Sequence, residues 1–339
     1  MPDVLELFDQ ATVLDYLKDR QYKPFVGEQL FPEVKHQTLK FEMLKAGSSL
    51  PTIASAHAFD TEAEIGSREA GKQALEAAYV KRKMQITEED LMALQFPRTP
   101  GEQEYLTKRV FGDIDNLVLG VRARIELMRM EALSTGKVTL NENGLNMEVN
   151  YHVPQEHQEA LSAGALWTAD TADIIGDLER WQDTLDEKAT RALTSTKIAG
   201  SILRNSKIIG YLFGKDSARI PTLADLNAFL LQHGLPQIAT YDSKYRKQNA
   251  NGTYSAHRFL GENKFVMFGE GTLGETLYGP TPEETRLIRT GAEVTNVGKV
   301  IAMVYEEGQD PISTWTKAAA TAIPSFHESD NVFQAQPIA

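Results

Sequence analysis

The sequence of 339 residues contains no cysteine. Disulfide bonds, thiolate nucleophiles and cysteine-bound zinc are therefore excluded. Any stabilisation beyond that of an ordinary core must come from packing or from contacts with other subunits. The absence of cysteine is typical of a protein made in a reducing compartment, so we expect synthesis in a cytoplasm.

The N-terminal twenty residues lack an uninterrupted apolar run, and acidic side chains interrupt them repeatedly. We therefore expect neither a signal peptide nor a membrane anchor. The interrupting residues are Asp3, Glu6, Asp9, Asp15 and Asp19.

Basic residues are in deficit, since 35 Lys and Arg face 47 Asp and Glu and give a net charge of -12. Such a charge repels phosphate backbones, so we do not expect sequence-specific nucleic-acid binding. A protein that encloses DNA without binding it tightly can still be acidic. With 42% hydrophobic and 24% charged residues, the composition is that of a globular protein large enough for two lobes.

The strongest local pattern predicts one long helix over residues 100–135. Thr99 is the expected N-cap, Pro100 suits the first turn, Glu102 can complete a capping box, and Gly136 ends the helix. At 1.5 Å per residue the helix spans about 50 Å, longer than a domain of this size usually needs, so we interpret it as a spine. Apolar residues three and four apart define its buried face: Leu106, Val110, Ile114, Leu117, Val121, Ile125 and Met128.

The residues before the spine predict an arm followed by a long hairpin. A short helix with Thr12 as its cap precedes Pro24 and Pro32, which impose extended chain. Two runs with alternating polarity then bracket residues 46–73, which are rich in small and polar side chains. We predict a projecting hairpin, although a disordered surface loop is equally compatible with that composition. The apolar members of the two runs are Leu39, Phe41 and Met43, then Val80, Met84 and Ile86.

A second hairpin is predicted after the spine, over residues 137–151. The dipeptide Asn143-Gly144 suits a type I′ turn. Counting outward from it pairs Leu140 with Met147 and Val138 with Val149. A helix that begins at Asp170 or Thr171 is predicted next.

Short alternating elements from about residue 190 onward predict a compact mixed α/β lobe. Three later strands could return the chain to the lobe that holds the spine. The predicted elements are strands at 208–213, 237–241, 264–268, 300–305, 312–323 and 332–336, helices at 223–230 and 281–291, and an exposed loop at 242–251.

One literal dinucleotide-binding fingerprint, Gly269 to Gly274, directly follows the predicted strand at 264–268. A functional fingerprint opens a helix whose N-terminus holds the pyrophosphate. Gly279-Pro280 leaves no room for that helix, and Glu270 would lie beside the phosphates. We therefore predict a glycine-rich turn.

No other motif indicates chemistry. His152 and His157 lack a third ligand at a metal-site spacing, and the acidic residues near position 173 suit a helix N-terminus. No serine, histidine and carboxylate form a recognisable triad motif. We therefore predict no catalytic residue, no cofactor-binding residue, no metal site and no enzymatic activity.

Four segments together resemble the lambda-type (E family) major capsid proteins of tailed bacteriophages, which have the Hong Kong 97-type capsid fold. Residues 30–42 are similar to that family's exit from an N-terminal arm into an extended loop. Residues 126–137 resemble the close of its spine helix, and residues 264–279 a strand and turn of its axial domain. Residues 322–324 and 330–334 are similar to its final strands.

The resemblance implies an α+β fold with five parts: an N-terminal arm at 1–36, an extended loop formed by a long β-hairpin at 37–87, a peripheral domain with the spine helix at 88–190, an α/β axial domain at 191–296, and C-terminal strands that return to the peripheral domain at 297–339.

The resemblance also implies a function: a structural subunit that self-assembles, through a procapsid and maturation, into the icosahedral head shell around double-stranded DNA. Expected partners are further copies in pentamers and hexamers, a separate scaffolding protein, a portal and a decoration protein, with no membrane. The protein would be made in the host bacterial cytoplasm and reside in the virion. Alternatives are an encapsulin-like compartment, which packages protein cargo, and a nucleotide-binding enzyme.

Overall fold

The computed structural model of the chain describes residues 8–45, 71–142, 144–170, 172–214, 217, 219–249, 251–289, 299–308 and 313–339. Its helices are α1 Gln10–Asp19, α2 Val26–Leu30, α3 Glu88–Gln95, α4 Pro100–Thr135, α5 Ile174–Asp183, α6 Thr196–Arg204, α7 Ser206–Phe213, α8 Leu223–Gln232 and α9 Pro282–Arg289. Its strands are β1 Glu33–Lys35, β2 Lys40–Lys45, β3 Gly71–Glu76, β4 Ala78–Ile86, β5 Lys137–Glu142, β6 Leu145–Asn150, β7 Gln158–Ala160, β8 Arg191–Thr194, β9 Gln237–Thr240, β10 Lys244–Gln248, β11 Tyr254–Arg258, β12 Phe265–Phe268, β13 Thr276–Gly279, β14 Ile301–Glu307, β15 Ser313–Pro324 and β16 Val332–Gln336.

The spine helix α4 confirms the prediction at both ends. The Thr99 hydroxyl accepts a hydrogen bond from the backbone N–H of Glu102 at 3.2 Å, and Gly136 ends the helix with a left-handed φ of 66°. The Glu102 carboxylate accepts from the N–H of Arg98 at 2.8 Å, one residue before the expected capping-box partner. Every residue of the predicted apolar face is buried.

Two five-stranded sheets pack around the spine helix. In the first sheet the long strand β15 is central: β4 lies along one side, and β14 and then β13 lie along the other. β1 extends this sheet by pairing in parallel with β13. The second sheet has the order β7-β16-β12-β8-β9. Helices α5 to α8 contribute a second apolar core against it, which includes Trp167, Trp181 and Phe265.

Several predicted elements are confirmed. The hairpin β5–β6 has the predicted register, with Val138 opposite Val149 and Leu140 opposite Met147. Helix α8 and strands β9, β12, β14, β15 and β16 lie within about two residues of their predicted bounds. The predicted end of α9 at Gly291 lies outside the described residues.

The predicted hairpin over 37–87 has a different return strand. Strand β2 pairs with β3, so that Phe41 lies opposite Leu75, whereas β4 pairs along its whole length with β15. An alternating pattern shows that a strand has two faces but does not identify its partner, and this explains the error. Of the predicted tip at 46–73, residues 46–70 lie outside the described residues, and residues 71–73 belong to strand β3.

The prediction of a strand at 208–213 is wrong, because these residues belong to helix α7. The side chain of Asn205 caps the helix by accepting from the N–H groups of Lys207 and Ile208 at 3.0 and 3.2 Å. A short apolar run fits a strand and a buried helix equally well, and the cap decides between them here.

Three further predictions need correction. Helix α1 is capped by Asp9, whose carboxylate accepts from the N–H of Thr12, and not by Thr12 itself. Helix α5 begins at Ile174, later than Asp170 or Thr171. The predicted loop at 242–251 contains strand β10, Lys244–Gln248, which pairs with β11. Strand β16 joins the second sheet, and its Gln334 donates to the carbonyl oxygens of Ala132 and Leu133 in the spine helix.

Candidate functional site

The glycine-rich segment 269–274 connects the two sheets, since β12 before it belongs to the second sheet and β13 after it to the first. Gly271 has a left-handed φ of 87°. The guanidinium of Arg191 donates to the carbonyl oxygens of Gly269 and Gly271 at 2.7 Å each. A strand follows the segment, so it presents no helix N-terminus to a pyrophosphate. The predicted turn is confirmed.

Gly274 is the glycine with the strictest local requirement. A Cβ added to it would lie 2.1 Å from the carbonyl oxygen of Ser325. The N–H of Leu273 also donates to the carbonyl oxygen of Leu30 at 2.8 Å. Glycine at 274 allows the turn to pack directly against the backbone after β15, and Leu273 joins the turn to the end of the N-terminal arm.

The histidine and aspartate side chains considered above as metal ligands do not come together in one site. His157 is buried and its Nε2 lies 3.0 Å from the carbonyl oxygen of Thr184. Asp177 accepts hydrogen bonds from Trp167 Nε1 and from Arg180. Within the described ranges, no group of three or more His, Asp or Glu side chains is arranged to hold a metal ion.

A buried cluster of charged side chains joins the arm, the spine helix and both sheets, and we name it the junction cluster. It consists of Glu28, Glu33, Glu126, Arg129, Tyr241, Tyr278 and Lys299. Arg129, 1% exposed, donates to the Thr276 hydroxyl at 2.8 Å and to Glu33 at 2.9 Å. Glu126 lies 3.4 Å from the same guanidinium. The cluster holds three carboxylates, with Arg129 and Lys299 among the cations that face them.

Glu126 connects the cluster to the arm and to the lobe after residue 190. Its Oε1 accepts from the N–H of Gly27 and from the Tyr241 hydroxyl, each at 2.9 Å. A Cβ on Gly27 would lie 2.4 Å from Glu126 Oε2, so glycine is the residue that fits there. Burial raises the pKa of Glu126 and outweighs the Gly27 N–H and the Arg129 charge, which lower it.

Glu33 has the opposite balance. Burial alone would raise its pKa, but the charge of Arg129, the Tyr278 hydroxyl and Lys299 together hold the pKa below its ordinary value. Tyr278 donates to Glu33 at 2.8 Å, and Lys299 lies 3.0 Å from its other oxygen. Each carboxylate is engaged by several donors, so the junction cluster is arranged to fix the arm on the spine.

One feature of the sequence indicates this cluster, although it belongs to no recognised motif. Arg129 follows Ile125 by four residues and therefore lies on the predicted apolar face of the spine. A charge in that position must be paired when it is buried. Its partners come from residues about 100 and 150 positions away, which local patterns do not reveal.

An exposed apolar surface lies on the lobe after residue 190, at the side of helices α7 and α8. Tyr211, Ile220 and Leu231 are 56%, 62% and 63% exposed. The ring of Tyr211 stacks on Phe229 with 6.1 Å between centroids. The guanidinium of Arg219 lies 4.4 Å from the ring centroid of Phe213. We name this surface the axial patch. Large apolar side chains left this exposed on one lobe are typical of protein contacts.

The family model described as phage major capsid protein E matches residues 9–336. No curated protein matches the sequence significantly. Within the described ranges, no helix combines the length and the apolarity needed to cross a membrane.

Among solved structures, a putative prophage capsid protein from Escherichia coli CFT073 is similar, with a TM-score of 0.62 and 17% identity over 98% of this chain and 99% of that one. A phage-related protein from Bordetella bronchiseptica RB50 has a TM-score of 0.56 and 12% identity, with 97% of each chain covered. These similarities confirm the predicted Hong Kong 97-type fold.

Proposed function

Because this chain belongs to the phage major capsid protein E family, we propose that its copies assemble into the closed icosahedral shell that encloses phage double-stranded DNA. The family membership makes the chain a structural capsid subunit. The observation that carries the proposal is the family match over residues 9–336, which includes both sheets and the spine.

The exposed apolar side chains of the axial patch support the proposal that subunits assemble into rings. Tyr211, Ile220 and Leu231 expose apolar surface that burial against a neighbouring copy would remove from water. Burying a side chain of this size contributes about 1.5–3 kcal/mol, and a closed ring repeats the contact at every subunit. We propose that the axial patch lies at the axes of pentamers and hexamers.

The five predicted parts of the chain retain their proposed roles. The arm at 1–36 is anchored by the junction cluster, which fixes Gly27, Glu28 and Glu33 on the spine helix. The ribbon of β2 and β3 leads into the extended loop within 37–87, which we propose reaches a neighbouring subunit. The peripheral domain at 88–190 and the axial domain at 191–296 form the body, with the strands at 297–339 distributed between both sheets.

The proposed partners are a separate scaffolding protein, a portal and a decoration protein, and the proposed location is the virion after synthesis in the host cytoplasm. The shell would enclose DNA without reading its sequence, in keeping with a net charge of -12. The proposed role is structural and uses no cofactor.

Expression of the chain with and without its scaffolding protein tests the proposal. We expect closed particles in electron micrographs and fast-sedimenting material that contains this chain as its main component. A chain that stays monomeric with the scaffold present would refute the proposal. Particles that retain protein cargo and exclude DNA would instead identify an encapsulin-like compartment.

A further inference from the structure

A groove with a volume of about 670 Å³ runs between the spine helix and the hairpin formed by β10 and β11. Its lining includes the apolar side chains of Leu119 and Ala123 of the spine and Met84 of strand β4, which we call its floor. The lining also carries cations, Arg82 from β4 and Lys244 and Arg246 from the hairpin, which we call its rim, together with one carboxylate, that of Glu142. We name it the cationic groove.

Three of the groove's cations lack an acidic partner among the described residues. Among the described residues, no carboxylate lies within 4 Å of Arg82, Lys244 or Arg246, and Arg124 and Lys247 share the single carboxylate of Glu142. Residues 243–258 contain no Asp or Glu, in a chain whose net charge is -12. Like charges that converge without partners repel one another, so a ligand that supplies negative charge would be bound favourably.

The apolar floor favours a peptide over a nucleic acid as the ligand of the groove. A DNA backbone offers phosphates but no apolar surface to cover Leu119 and Met84, both of which are exposed. A peptide segment with carboxylates beside large apolar side chains would satisfy the rim and the floor together. The groove is lined by residues 116–127 of the spine, so it is about 17 Å long, enough for a helix of about two to three turns.

Such a segment is present on the surface of the same chain. Helix α3 buries Leu94 and exposes the opposite face, where Met92 is 67% exposed. Glu88 and Glu89 lie on the same face as Met92, since helical spacing places the three within about 100° of arc. Phe96, the C-cap residue that follows this face, is 65% exposed. Both carboxylates are exposed, and no cation of the described residues lies within 4 Å of either. We name this face the acidic ridge.

The acidic ridge is held away from the groove of its own subunit. Asp90 on the neighbouring face of α3 binds Arg109 of the spine at 2.9 Å, about two turns before the groove begins at Asn116. The ridge therefore points away from the spine that carries its own groove. Only another molecule can bring a ridge into this groove.

We propose that the acidic ridge of one subunit docks into the cationic groove of a second copy. Glu88 and Glu89 would face Arg82, Lys244 and Arg246, while Met92 and Phe96 cover the apolar floor. The two surfaces are different, so the contact is heterologous and each subunit can engage two neighbours. This inference rests on the proposed function and assigns one specific lattice contact to it.

A disulfide test is direct, because the natural chain contains no cysteine. The variant with Met92→Cys and Leu119→Cys should form a ladder of covalent oligomers when assembled particles are mildly oxidised and run on a non-reducing gel. The matched control combines Met92→Cys with Ile288→Cys, which is also exposed and lies outside both the groove and the axial patch, and should give no ladder. Equal cross-linking of both variants, or none of the first while shells form, would overturn the inference.

Charge reversal provides a second test that does not depend on cross-linking geometry. Arg246→Glu and Glu89→Arg should each raise the subunit concentration needed for assembly roughly tenfold, because each places like charges together. The chain carrying both reversals should recover most of this loss. Normal assembly of each single variant, or no recovery in the double variant, would contradict the inference.

The outcomes separate the inference from the proposed function. Shells that form normally in every variant would refute the ridge-and-groove contact but leave the capsid role intact. Failure of the unmodified chain to assemble with its scaffold would refute the proposed function, and the inference would fail with it.

Discussion

Replacing Arg129 with methionine removes the central cation of the junction cluster while keeping an unbranched side chain of similar length. The buried carboxylate of Glu126 and the partly buried carboxylate of Glu33 would lose a partner that now lies 3.4 Å and 2.9 Å away, respectively. Removing one member of a buried ion pair costs about 3–5 kcal/mol, because the remaining charge stays desolvated. We therefore expect Arg129→Met to lower the free energy of unfolding by roughly that amount.

A matched control is available on the same helix. Arg109 pairs with Asp90 at 2.9 Å, but its side chain is 53% exposed. Exposed pairs contribute about 0–1 kcal/mol, so Arg109→Met should change the free energy of unfolding by no more than that.

Urea unfolding of the unassembled subunit, followed by circular dichroism and by the fluorescence of the three tryptophans, measures both variants. The reasoning about the junction cluster would be wrong if Arg129→Met were no more destabilising than Arg109→Met. A folded Arg129→Met subunit whose arm is no more sensitive to proteolysis than the natural one would also refute the anchoring role.

Three further predictions concern the turn, the arm and the axial patch. Gly274→Ala should lower the free energy of unfolding by about 2 kcal/mol or more, because its Cβ would lie 2.1 Å from the Ser325 carbonyl oxygen. Gly269→Ala, whose Cβ would have no atom within 4 Å, should lower it by about 1 kcal/mol or less. Thermal unfolding of the two variants measures the difference. The pKa of Glu33 is lowered in the folded state, so its contribution to stability is complete above its ordinary pKa and is lost as the pH falls through the folded-state value. Glu33→Gln should therefore flatten the acid limb of a curve of stability against pH. An unchanged acid limb would refute this. Leu231→Asp, at an exposed position, should leave the melting temperature of the free subunit nearly unchanged but block assembly in sedimentation, and normal particles would exclude the axial patch as a contact.

Local signals account for the elements that the sequence predicted correctly. The spine helix has its cap, its proline, its glycine stop and its apolar face within one continuous segment, so nothing distant is needed to recognise it. The hairpin β5–β6 is likewise set by the turn at its centre. The family resemblance supplied the assignment of the fold.

Features that depend on distant partners were not predictable from local patterns. The partner of β2 is β3 and not the more regular strand β4, because β4 lies along β15, more than 200 residues away in sequence. Helix α7 carries an apolar run that fits a strand equally well until its Asn205 cap is considered. The junction cluster and the cationic groove each bring together segments from at least three parts of the chain.

Reconstruction by cryo-electron microscopy of particles assembled from this chain tests the central claim most directly. The account predicts a closed icosahedral shell built from copies of this subunit, with the axial patch at the five-fold and six-fold axes and the acidic ridge of one copy in the cationic groove of another. Isolated monomers, or particles in which this chain forms no part of the shell, would contradict the account.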